Sequence, residues 1–281
     1  MIDRAIVLSG GGLGGIAWEV GVLTGIRDAW PELDEVLADS STLIVGTSAG
    51  SVVGSQVAAA VPLELLFEAQ LAEQTAEVGA RIDAAAFQSR IDQALAGATS
   101  PEDARRRIGA MAIAAHPEDD GERAEIIRSR LASEQWPERA LRVAAVDADT
   151  GELVAFDRDS GVDLVSALAA SCAVPGVWPV IRIGDRRFVD GGVRSGSNAD
   201  LAAGAGRVLV LNPLPVEGMP LVPEGELEAL GGAAVEIVSA DAAALAIYGL
   251  RALDPAVSPA AARAGREQGR SVAGRVMALL A

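Results

Sequence analysis

The chain contains no lysine, one histidine and one cysteine, and each shortage removes some chemistry. Without lysine there is no phosphate-cradling Walker lysine, no Schiff-base lysine and no serine–lysine dyad. His116 and Cys172 alone cannot build an ordinary Cys/His zinc site. Cys172 has no second cysteine for an internal disulfide, which fits a reducing compartment. Aromatic residues are 3% of the sequence, so a core must be assembled from Ala, Val, Leu and Ile. No window reaches the roughly 18–20 uninterrupted apolar residues of a membrane span. Met1-Ile2-Asp3-Arg4 runs straight into a strand pattern without the layout of a signal peptide. A soluble cytoplasmic protein with no cofactor and no metal is expected.

Acid and glycine are plentiful. The formal net charge is −16, and every basic residue is an arginine. Such a chain gains nothing from a phosphate backbone, so nucleic acid is not an expected partner, nor is electrostatic attachment to anionic lipid. With 31 glycines, backbones are expected to pack closely. The 281 residues allow a single domain, 1–281, with an inserted subdomain.

Hydrophobic patterning predicts an α/β fold with a central, mostly parallel sheet. Strand candidates are Ala5–Leu8, Leu43–Val45, a hairpin of Leu141–Asp147 with Glu152–Phe156, Val180–Ile183, Arg187–Val189, Arg207–Leu211 and Ala234–Val238. Helical periodicity marks Ile16 to Arg27, Ser51 to Ala60, Val162 to Ser171, Asp241 to Leu253 and Pro259 to Leu280. Leu214 to Glu228 reads as a surface loop. From 61 to 140 strand signals vanish. Four helices are predicted there, at Pro62–Glu77, Ile82–Ala96, Glu102–Ala115 and Arg123–Ser133. This segment reads as a helical insertion, either a lid, a pocket wall or generic helix packing, whose charged residues are expected on solvated faces. His116 follows the third of these helices in a polar loop. It precedes every strand of the second half, a poor place for the histidine of a Ser–acid–His triad.

Three stations carry candidate chemistry. Gly46-Thr47-Ser48-Ala49-Gly50 lies between an apolar strand and an Ala/Val-rich helix. That is the layout of a sharp strand–turn–helix elbow presenting Ser48 at its apex; the alternative is a serine that caps the helix. Gly10 to Gly15 follows the first strand. Gly10, Gly12 and Gly15 satisfy G-x-G-x-x-G, which admits a dinucleotide loop, an oxyanion hole or a purely structural turn. The dinucleotide option wants an acid at the end of the second strand, where the Ser48 elbow stands instead. Asp190-Gly191-Gly192 ends a later strand. Asp190 is placed either for catalysis or for holding its own turn. Cys172 lies in the small-residue run Ala170 to Pro179 and reads as buried filler.

Taken together, the glycine loop, the elbow and Asp190-Gly191-Gly192, with the proline-containing run before the Asp, resemble the patatin-like phospholipase family over Ala5 to about Leu211. The resemblance implies a three-layer fold and a serine acyl hydrolase cleaving lipid carboxylic esters. It implies a Ser48–Asp190 dyad without histidine, and an oxyanion hole from backbone N–H groups at Gly10, Gly11, Gly12 and Leu13. The implied partner is a lipid or acyl ester, with transient contact at a membrane or micelle surface allowed. The family usually carries Arg or Lys where this chain has Gly14, so either backbone donors alone or a neighbouring arginine must do that work. The rival expectations are a nucleotide-binding oxidoreductase and a catalytically weak lipid-binding relative.

Overall fold

A computed structural model of the chain describes residues 2–72, 79, 83–116, 121–216, 218 and 220–281. Among these residues the strands are β1 (Arg4–Leu8), β2 (Thr42–Thr47), β3 (Leu141–Asp147), β4 (Leu153–Phe156), β5 (Ile181–Ile183), β6 (Arg186–Asp190), β7 (Arg207–Asn212) and β8 (Ala234–Ser239). They form one sheet in the order β5-β6-β3-β2-β1-β7-β8, with β4 also paired to β3. β3, β2, β1, β7 and β8 run parallel; β4, β5 and β6 make antiparallel pairs. This is the mostly parallel α/β sheet that the patterning predicts.

Both faces of the centre are covered, as parallel sheets require. On β1, Ile6 and Leu8 enter one apolar cluster with helices α1 (Gly12–Ala29), α3 (Ala49–Ala58), α8 (Leu164–Ser171) and α11 (Ser258–Leu280). Ala5 and Val7 enter a second cluster with Ala199, Ala202, Val222 and Leu230. The alternation follows from the two-residue period of a strand.

Few aromatics and many small residues make close packing the means of cohesion. α1 and α11 meet backbone to backbone through glycines spaced one turn apart. A β-carbon on Gly21 would overlap the Ala262 carbonyl, and one on Gly25 the Arg266 carbonyl. In return, Gly265 abuts the Trp18 carbonyl and Gly269 that of Val22. Arg266 ties the same pair of helices to α4 (Leu63–Gln70). It donates to Asp28 at 2.8 and 2.9 Å and to Glu64 at 3.0 and 3.1 Å.

Between α3 and β3 the described elements are all helical: α4, α5 (Ala84–Leu95), α6 (Pro101–Ala115) and α7 (Glu122–Ser129). α5 is capped by Asp83 and α6 by Ser100, whose side chains accept from the third residue on. The expected helix ends at Glu77 and Ile82 lie outside the described residues. α4 stops at Gln70, and α7 at Ser129 rather than Ser133.

Two further differences concern the second half. The stretch expected as loop from Leu214 to Glu228 carries α9 (Glu224–Ala229), started by Pro223 and by acids in its first turn. The helix expected to reach Leu253 is α10 (Ala242–Tyr248), which gives way at Gly249 to a short 3₁₀ turn. A short helix, α2 (Leu33–Ala38), was not anticipated. No helix among the described residues is long and apolar enough to cross a membrane.

The glycine seam makes opposite predictions for two alanine substitutions. Gly25→Ala gains about 1 kcal/mol of helix propensity but forces overlap with Arg266, at an overpacking cost of about 1–3 kcal/mol. It is expected to lower the urea midpoint. Gly274, also on α11, faces open space, so Gly274→Ala is expected to raise that midpoint by about 0.5–1 kcal/mol of stability.

Candidate active site

β2 enters α3 through Ser48, which holds φ 52° and ψ −118°. That backbone region costs a non-glycine residue of order 1–3 kcal/mol, so the surroundings must enforce it. They do so from several sides. The Ser48 N–H donates to Ser171 Oγ at 2.9 Å, and the Ser48 carbonyl accepts from Ser51 Oγ at 2.6 Å and from Cys172 Sγ at 3.4 Å. The flanking glycines are sterically required. A β-carbon at Gly50 would collide with the Leu8 carbonyl, and one at Gly46 would lie 2.6 Å from the Gly50 carbonyl. Ser48 makes no side-chain cap bond to α3, which removes the capping alternative.

Asp190 reaches the same place through β3. In the parallel pairing of β2 with β3, Thr47 stands opposite Ala144; in the antiparallel pairing of β3 with β6, Asp190 stands opposite Ala145. Two adjacent β3 residues therefore set the end of β2 beside the end of β6. Asp190 is buried, at 5% exposure. Its N–H donates to the Ala173 carbonyl at 3.0 Å, and its Oδ1 accepts from the Gly192 N–H at 2.7 Å. Burial pushes its pKa up to about 6, while the Ser48 hydroxyl against the carboxyl and the Gly192 N–H pull it down. The turn bond to Gly192 is the local role expected of such an aspartate, and here it coexists with the contact to Ser48.

The glycine loop closes the third side. Gly10 donates its N–H to the Gly196 carbonyl at 2.8 Å, so that group is not available to a ligand, contrary to the expectation that included Gly10 among the donors. The N–H groups of Gly11, Gly12 and Leu13 have no acceptor among the described residues. They sit at the start of α1, where the helix dipole favours negative charge. Gly12, with φ +63°, and Leu13 line the same cavity as Ser48 and Ala49. That cavity measures about 30 Å³, room for about one or two waters. Its wall is completed by Ile16, Cys172, Val174, Trp178, Leu253, Arg123 and Arg130.

The loop is roofed tightly by protein. A β-carbon on Gly11 would come within 2.5 Å of the Pro213 ring, and one on Gly12 within 2.6 Å of the Ala252 carbonyl. At Gly14 the space for a side chain is filled by the Tyr248 ring, whose hydroxyl donates to the Pro213 carbonyl at 2.5 Å. The basic side chain that the resemblance would put at this position has no room here.

Several residues escaped the sequence reading. Asn198 is fully buried at φ 49°, and its Nδ2 donates to Thr47 Oγ1, the Gly191 carbonyl and the Ser195 carbonyl. It binds the elbow to the turn after Asp190. Its signal in sequence is slight: Asn tolerates the left-handed region, and Ser195-Gly196-Ser197-Asn198 is a small polar run. Arg123, assigned to a solvated helix face, is buried at 4% exposure and faces the cavity. A helical wheel drawn on a short, highly charged helix gives no hint of that. His116 is exposed at the end of α6 and does not line the cavity. Cys172 is buried as filler, with burial pushing its thiol up to about 11.

The family model described as "Patatin: Patatin-like phospholipase" matches residues 6–203. The chain belongs to that family, and membership supports a lipid ester hydrolase. No curated protein matches the chain. Among solved structures it is similar to VipD from Legionella pneumophila, at 12% identity and a TM-score of 0.48, covering 98% of this chain and 67% of that one. It is also similar to the type III effector protein ExoU, at 14% identity and a TM-score of 0.41, covering 98% of this chain and 53% of that one. The chain therefore spans about two thirds of the first and about half of the second.

A carboxyl whose pKa rises on folding favours the folded state only while it is protonated. That stabilisation is complete below the unfolded value near 3.9 and is lost as pH rises through about 6. Asp190→Asn cannot ionise. Relative to the wild type, its unfolding free energy is expected to rise by roughly 2–3 kcal/mol between about pH 4 and about pH 7, measured by urea denaturation at both.

Proposed function

We propose that the chain is a serine acyl hydrolase of lipid carboxylic esters, with Ser48 as nucleophile and Asp190 as its base. The observation that carries this is the strained Ser48 set against a buried carboxyl. A serine hydroxyl needs a base within reach. Ordinary carboxylates are too weakly basic near neutrality, but one titrating near 6 is largely ionised at pH 7 and still accepts a proton usefully.

Ser48 Oγ attacks the ester carbonyl carbon as its proton passes to Asp190. The carbonyl oxygen becomes an oxyanion facing the N–H groups of Gly11, Gly12 and Leu13, each well-aimed donor contributing roughly 3 kcal/mol. As the intermediate collapses, the C–O bond to the alcohol breaks and Asp190 returns the proton to the departing oxygen. Water, deprotonated by Asp190, then attacks the acyl-enzyme; the acid departs and Ser48 is reprotonated.

Residues 61–140 act as an inserted wall of the acyl site within a single 1–281 domain; supporting this, α7 supplies Arg123 to the cavity. Transient lipid-surface contact is favoured by Leu250, which is 96% exposed on the turn leading to the cavity residue Leu253. β2 ends in the Ser48 elbow rather than in the acid a dinucleotide site uses, which weighs against a nucleotide cofactor.

Ser48→Ala and Asp190→Asn are each expected to lower turnover of p-nitrophenyl esters and phospholipids by about a thousandfold or more, with His116→Ala unaffected. Unchanged turnover in both would refute the assignment.

A further inference from the structure

Glu19 is a buried acid that the reaction above leaves unused. It lies on α1, is 0% exposed, and neither of its carboxyl oxygens has a hydrogen-bond partner among the described residues. Thr24, also buried on α1, is by contrast satisfied by the Val20 carbonyl at 2.7 Å. A carboxylate left this way would be a bare charge in an apolar core. Burial accordingly pushes the Glu19 pKa well above the usual carboxylate range, and the Ser9 N–H pulls it back only in part. An apolar side chain of similar length would pack there at lower cost, so stability does not explain the acid.

Its surroundings place it behind the candidate site. Glu19 follows Gly15 by four residues and shares its helix face. A β-carbon on Gly15 would come 3.2 Å from the Pro213 ring and 3.5 Å from the Ala49 β-carbon. That face therefore looks onto the turn after β7 and the residue after Ser48. Tyr248, whose ring fills the space at Gly14, feels the same carboxyl: burial raises its phenol, and the charge of Glu19 adds to the rise.

Ser9 is the second bare group. Its Oγ is buried and has no hydrogen-bond partner among the described residues. Its main chain is the root of the glycine loop. The Ser9 N–H donates to the Leu211 carbonyl at 3.1 Å, and its carbonyl accepts from the Gly50 N–H at 3.2 Å. The loop that follows, Gly10 to Gly15, has Leu13 as its one side chain, and α1 begins without a side-chain cap. A polar anchor must therefore act at the root. A protonated carboxyl offers one O–H and keeps acceptor capacity, which complements a hydroxyl.

We propose that Glu19 is a positioning residue: an uncharged acid that hydrogen-bonds the Ser9 hydroxyl, directly or through one ordered water, and so fixes the glycine loop for the oxyanion. As a statement about turnover it rests on the hydrolase reading above, but the order of the loop can be read without turnover.

The test compares Glu19→Met, apolar and of similar length, with Glu19→Gln, which stays uncharged and still hydrogen-bonds. With a p-nitrophenyl ester, Glu19→Met is expected to lower kcat about tenfold with KM within about twofold, and Glu19→Gln to stay within about threefold of wild type. The urea midpoint of Glu19→Met is expected at or above that of wild type. Hydrogen exchange of the peptide spanning residues 9–15 is expected to quicken about tenfold in Glu19→Met and to stay unchanged in Glu19→Gln. Ser9→Ala, which deletes only a hydroxyl and serves alone should Glu19→Met not fold, is expected to match its loss. Combining the two is expected to cost less than about threefold more. Wild-type kcat and exchange in Glu19→Met, a Glu19→Gln as impaired as Glu19→Met, or losses that multiply would overturn the proposal. So would a loss of kcat that tracks a lowered urea midpoint, which makes Glu19 an ordinary core residue. An inactive wild type whose loop exchange still depends on Glu19 would sink the hydrolase reading and leave the positioning role standing. Ser48-dependent turnover indifferent to Glu19→Met would do the reverse.

Discussion

The pairing of β3 with β2 on one side and β6 on the other is the constraint on which the site depends. Ala144 faces Thr47 and Ala145 faces Asp190, so a serine and an aspartate far apart in sequence are set next to each other by strand register. A slip of one residue would turn every side chain of the moving strand to the opposite face. Asn198, bonded to Thr47 and to the turn after Asp190, locks the same geometry from outside the sheet. The strain at Ser48 is tolerable because this framework surrounds it on all sides.

Close backbone approach is the second theme. With so few aromatics, cohesion comes from small residues that let main chains touch, at the α1–α11 seam and again at the elbow, where Gly50 lies against Leu8. The packing that builds the core also shapes the site. Tyr248 and Pro213 press on the glycine loop and aim the start of α1 at the cavity. Burial tunes Asp190 as well, since desolvation destabilises its ionised form and raises its affinity for a proton.

Much of the fold was legible in the sequence because strands buried on both faces read as short apolar runs, and the helix start at Ser100-Pro101 is a strong local signal. The elbow was legible because Gly46 and Gly50 answer a steric demand. The Ser48–Asp190 neighbourhood was reached through family resemblance, since register between distant strands leaves no local trace. Gly10 was misassigned as a donor because its acceptor, Gly196, comes from a segment whose position only the tertiary fold sets. Arg123 was misread for a similar reason: a short charged helix looks solvated until the sheet and Trp178 are brought against it. α9 was missed because Pro and Gly around it resemble loop punctuation.

The most direct test of the central claim, a serine activated by a buried carboxylate, is the rate at which a fluorophosphonate labels the protein as pH is varied. The labelled peptide should contain Ser48, with a rate that climbs as pH passes through about 6 and is slow and flat in Asp190→Asn. Labelling elsewhere, or a wild-type rate indifferent to pH across that range and to the loss of the carboxylate, would contradict it.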